Sequence, residues 1–64
     1  MKAEPMDRLL NWRRREGLTQ QQAADLLEVT LRTYTRWERG EHSPWLKAAV
    51  AIEAETGIEA SAWL

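Results

Sequence analysis

The sequence predicts an all-α fold, a compact bundle of four to five short helices, and three observations carry that prediction. Apolar residues recur at three- and four-residue spacing in separate segments, the pattern of helices that each bury one face. Start and stop signals punctuate those segments, with Thr19, Thr30 and Ser43 ahead of helices and Gly17, Gly40 and Gly57 behind them. Strand signals are absent, because the β-branched residues are scattered and never alternate with polar ones.

The first helix is expected over residues 5–16. Pro5 suits a first helical turn, where its missing N–H would have no acceptor partner to lose. Met6, Leu9, Leu10 and Arg13 keep helical spacing, Trp12 adjoins Leu9, and Gly17 supplies the stop. Thr19 caps the second helix and Gln22, three residues on, completes a capping box, with Ala23, Ala24 and Leu27 as the apolar stripe. Glu28–Val29 breaks the pattern, and Thr30 caps a third helix from Leu31 to Arg39, ended by Gly40. Ser43–Pro44 reads as the cap and first residue of a fourth helix, Trp45–Glu55, rich in helix-favouring alanine. Ile58–Leu64 is expected to add one helical turn at most.

Composition narrows the function classes. At 64 residues the chain is a single domain spanning residues 1–64, with a core too small to surround a deep catalytic cleft. There are no cysteines and one histidine, His42, so neither disulfides nor a metal centre is expected, and no cofactor is implied. The longest apolar run, Ala48–Ile52, falls far short of the roughly 18 residues a membrane helix needs. Met1–Pro5 lacks the apolar stretch of a leader, so a soluble intracellular protein, cytoplasmic in a bacterial or phage-infected cell, is expected. A nuclease would need clustered carboxylates, whereas the acids here are spread over separate helices.

The net charge of −1 argues against a nucleic-acid partner until it is placed along the chain. All nine Lys and Arg residues lie in residues 1–47, and residues 48–64 carry three glutamates and no base. The third helix concentrates the positive charge: Arg32, Arg36 and Arg39 recur at i, i+4 and i+7 and share one side, with Thr33 beside them. Arginine can donate two bonds to the guanine edge, and threonine can meet a base or a thymine methyl. On the other side of the corner, Leu27, Val29, Tyr34 and Trp37 are placed to share a core, and Ala24 is small enough to let the third helix cross closely. That is helix-turn-helix spacing.

At this point the stretch GLTQQQAADLLEVTLRTYTRWERGEHSP, Gly17 to Pro44, resembles the Cro/phage-repressor-like helix-turn-helix family, the lambda-repressor-like DNA-binding fold. Gly17–Leu18–Thr19–Gln20, Ala24, Trp37–Glu38–Arg39–Gly40 and Pro44 sit at the family's spacing without gaps, and IEAETGI follows at Ile52–Ile58. The resemblance implies base reading by Leu31, Arg32, Thr33 and Arg36, and phosphate contacts from Thr19, Gln20 and Arg39. Leu31 departs from the polar reader many relatives carry there. The resemblance also implies a partly buried ion pair between Arg13 and Glu38 that locks the first helix to the third.

Further expectations concern the rest of the chain. Trp12 and Trp37 fall on core faces, while Trp45 is expected to be half exposed. Trp63–Leu64 is too apolar to be left free in water and either folds back on the first helix or meets a partner; relatives commonly dimerise through the C-terminal part, which implies Ile58, Trp63 and Leu64 as dimer contacts. Glu28 stands where glycine is frequent and left-handed backbone angles are needed, at a strain of about 1 kcal/mol. Glu53 is a candidate partner for an arginine of the first helix. The expected function is sequence-specific double-stranded DNA binding by a homodimeric regulator, with no small-molecule substrate. The competing expectation is an antitoxin-like or adaptor domain that uses the acidic fourth helix and the tail.

Overall fold

A computed structural model describes residues 4–64; the reading of Met1, Lys2 and Ala3 as free of an apolar leader lies outside them. The described chain forms α1 (Pro5–Arg15), α2 (Gln20–Leu26), α3 (Leu31–Arg39) and α4 (Leu46–Thr56), then one 3-10 turn over Ala60–Trp63. None of the helices among the described residues is long and apolar enough to cross a membrane.

The caps of the first three helices follow their residue chemistry. Pro5 opens α1, and its last turn holds Arg13, Arg14 and Arg15, where cations suit the negative end of the helix dipole. At α2 the Gln22 N–H donates to Thr19 Oγ1 at 3.0 Å while the Thr19 N–H donates to Gln22 Oε1 at 2.8 Å, a complete capping box. At α3 Thr30 Oγ1 accepts the Thr33 N–H at 3.2 Å. Glu28 takes φ +60° in the α2–α3 turn, the left-handed angle that its position demands.

The start of α4 corrects the sequence reading. Ser43 does not cap it and Pro44 is not its first residue; both lie in the irregular α3–α4 connection, and Trp45 occupies the N-cap position with φ −68° and ψ 165°. Packing overrides the local signal here. Pro44 is buried, and Trp45 places its ring edge-to-face on Trp37, centroids 5.7 Å apart.

One core joins all the elements. Ala23 and Ala24 of α2 are fully buried, which lets α3 approach closely, and Tyr34 and Trp37 of α3 fill the centre against Leu9 and Trp12 of α1. From α4 the core receives only Ala48, Ala49 and Ile52, two of them small. Larger side chains must therefore come from the tail, and Ile58 and Trp63 supply them. Of the three residues expected as dimer contacts, Ile58 and Trp63 are buried in the chain's own core and Leu64 is exposed.

Polar contacts also hold the tail. Arg8 of α1 donates to both carboxylate oxygens of Glu59, each at 3.0 Å. Glu53 does not pair with an arginine of α1; its Oε1 instead accepts the Ala60 N–H at 3.4 Å.

Candidate nucleic-acid interface

The site begins with what fixes α3. Glu38, near the end of that helix, has a side chain only 5% exposed, so an uncompensated carboxylate there would be costly. Three side chains compensate it through four hydrogen bonds. Arg13 donates from Nε to Oε2 at 2.7 Å and from Nη2 to Oε1 at 3.3 Å, Gln20 Nε2 donates to Oε1 at 3.1 Å, and the Tyr34 hydroxyl donates to Oε2. Arg13 also donates from Nη1 to the Leu18 carbonyl at 3.0 Å, so the cluster ties α1, the α1–α2 connection, α2 and α3 together.

The electrostatics follow from that geometry. Burial alone pushes the Glu38 carboxyl up, but the hydrogen bonds from Arg13, Tyr34 and Gln20 and the Arg13 charge outweigh it, and its pKa is lowered. The hydrogen bond to Glu38 raises the Arg13 pKa against the opposing effect of burial. Burial, followed by the hydrogen bond to the Glu38 carboxylate, holds the Tyr34 hydroxyl well above the ordinary phenol range.

With Tyr34, Trp37 and Glu38 turned inward, the remaining face of α3 is fixed at about 100° per residue. Arg32 and Arg39 point outward, Arg36 lies beside them and is half-buried, and Leu31 is exposed at the N-terminal end. No salt bridge or hydrogen bond engages the three guanidinium groups among the described residues. Arg14 and Arg15, by contrast, fan out on exposed positions of α1.

Thr33 flanks the arginine stripe on the side of Arg36. It lines a cleft with Arg36, Trp37, His42, Ser43 and Trp45, and its hydroxyl oxygen accepts from Thr30 Oγ1 at 3.0 Å, leaving its own proton free to donate. The residue that the sequence reading passed over is Thr35. It stands on the outer face three residues after Arg32 and four before Arg39, a spacing that was available to find it. Its hydroxyl donates to the Arg32 carbonyl at 3.0 Å, which turns it back onto its own helix.

At the start of α2, Thr19 is exposed, and the first N–H groups of the helix have no intrahelical acceptors. The side chain of Gln20 is not free: one amide proton is committed to Glu38, and the second remains. The structure thus places Thr19, Gln20, Arg32, Arg36 and Arg39 on the α2–α3 unit, while Ile58 and Trp63 lie in the core.

The helix-turn-helix family model matches residues 9–63, nearly the whole described chain. No curated relative and no solved structure matches it. The two-helix corner, the partly buried arginine–glutamate pair beneath it and the cationic outer face of its second helix all fall within that match. The chain belongs to the Cro/XRE-type helix-turn-helix family of DNA-binding regulators.

Proposed function

We propose that the chain is a Cro-type repressor that binds a two-fold operator as a homodimer, with α3 in the major groove. The observation that carries this reading is the outer face of α3, where Arg32, Arg36 and Arg39 stand with no partner among the described residues while the inner face is locked by Tyr34, Trp37 and Glu38. Arg32 and Arg36 read bases, Leu31 and Thr33 contact the same step from the helix's first turn, and Arg39 holds a phosphate. Thr19 and the free amide proton of Gln20 hold another, at a helix end whose unpaired N–H groups favour anions. Repression follows when the bound dimer blocks polymerase.

Size and surface support the second copy. The described chain extends 27 Å at most, less than the roughly 34 Å between adjacent half-sites, so a single copy reads one half-site. Leu46 and Val50, one turn apart on α4, are 77% and 53% exposed, an apolar stripe that a partner molecule would cover.

Selection of duplexes from a random library by the purified protein tests the reading. An inverted repeat with half-sites one helical turn apart is expected. A lone half-site would remove the dimer, and no enrichment at low salt would replace the regulator with the adaptor reading.

A further inference from the structure

A second cleft lies on the far side of α1. It holds about 260 Å³ and is lined by Arg8, Asn11, Trp12 and Arg15 of α1 and by Thr56 and Ile58, where α4 gives way to the tail. Arg8 and Arg15 are two helical turns apart, so they lie within about 20° of each other around the helix and about 10 Å apart along it. Arg13 is turned about 140° from Arg8, toward Glu38 of α3. The cleft therefore faces away from the base-reading helix.

Its lining is rich in unused donors. Arg15 makes no hydrogen bond or ion pair among the described residues, and neither does the Asn11 amide. Trp12 is only 5% exposed, yet its indole N–H finds no acceptor among the described residues, and unlike the sealed indole N–H of Trp63 it reaches solvent. The Thr56 hydroxyl is committed twice, donating to the Ile52 carbonyl at 2.7 Å and accepting the Ile58 N–H at 3.1 Å. No acidic side chain among the described residues lines the cleft. At its tail end Arg8 already holds a carboxylate, that of Glu59, through both terminal nitrogens. A nearly buried indole with an idle N–H, beside an unpaired guanidinium, is matched by a second carboxylate. The apolar Ile58 and the indole ring are matched by an apolar body attached to it.

We propose that this cleft binds a small carboxylic acid with an apolar body, such as an aromatic carboxylate. Arg15 pairs with the carboxylate, Asn11 and the Trp12 N–H donate to its oxygens, and the apolar body rests on Ile58. Such a ligand bridges α1 and the start of the tail. The site is independent of DNA binding, because none of its residues belongs to α2 or α3.

The full chain is titrated with benzoate while the NMR signals of the Trp12 indole N–H and the Asn11 side-chain amide are followed. Benzamide serves as the neutral isostere and acetate as the carboxylate without a body. Saturable shifts of both signals are expected with benzoate, and affinity about tenfold or more lower for benzamide and acetate. Arg15→Gln should weaken benzoate by about tenfold or more with an unchanged melting temperature, and Asn11→Ala gives the same reading if Arg15→Gln melts lower. Shifts that do not saturate overturn the site, as does full benzoate affinity in either variant. Equal affinity for benzamide overturns it by removing the charge, and equal affinity for acetate by removing the apolar body. Saturable binding that leaves the Trp12 and Asn11 signals unmoved places the ligand elsewhere and overturns it too.

Discussion

Arg13 and Glu38, 25 residues apart in the chain, meet through two hydrogen bonds of 2.7 and 3.3 Å at the base of the helix-turn-helix unit. The arginine is 16% exposed and the glutamate 5%, so the pair is largely shielded from water. The pair fixes the angle at which α3 presents its outer face.

Arg13→Ala leaves Glu38 buried with only Tyr34 and Gln20 as donors. Removing one partner of a buried pair costs about 3–5 kcal/mol, and a domain of this size has about 3–10 kcal/mol in all. The low end is expected, because water can reach part of the site. Urea denaturation should show a large fall in midpoint, and an unchanged midpoint would remove the pair as a lock.

The lowered carboxyl of Glu38 sets an acid limb of stability. Its folded pKa lies below its ordinary value of 4.5, so the unfolded chain takes up the proton first as pH falls. The contribution is complete above about that value and is lost as pH drops through the folded one. Thermal melts between pH 7 and pH 2 should show a decline below pH 4.5 that is shallower in Glu38→Gln. Parallel curves for the two proteins would assign the acid limb to other carboxylates.

Most of the α1–α3 unit was legible because its signals are local: Thr19 with Gln22, Thr30 with Thr33, and Gly17 and Gly40 at positive φ are caps that neighbouring residues complete. The Arg13–Glu38 pair is not local, and it was reached only through the family resemblance. The misreadings lie where tertiary packing overrode a local signal. Ser43–Pro44 has the chemistry of a helix start, but Trp37 draws Trp45 into an extended segment and delays α4 to Leu46. For Trp63 the sequence leaves folding back and a partner surface both open, and the alanine-lined inner face of α4 leaves room that it fills. Nothing within a few residues of Gln20 announces its bond to Glu38.

Gly40 combines two constraints that can be separated. It ends α3 at φ +76°, and a Cβ added there would run into Met6 Sδ of α1. Gly40→Ala should therefore cost more than the roughly 1 kcal/mol of a left-handed alanine. Adding Met6→Ala should recover the excess in a double-mutant cycle measured by denaturation. Strict additivity would show that Met6 swings aside without cost.

The arginines of α3 should divide by what they contact. Arg32→Ala and Arg36→Ala remove base contacts, each worth about 1–3 kcal/mol of discrimination, so binding to the selected duplex should fall roughly tenfold or more while the preferred base at one position relaxes. Arg39→Ala should instead weaken all sequences about equally and reduce the slope of log affinity against log salt by about 0.9, one phosphate's worth of released counterion. Stability should stay within about 0.5 kcal/mol for Arg32→Ala and Arg39→Ala, because these exposed side chains make no hydrogen bond or ion pair among the described residues. Binding curves over a salt series, on the selected duplex and on scrambled DNA, separate the two classes. A base preference that survives in both Arg32→Ala and Arg36→Ala would take sequence reading away from this face of α3.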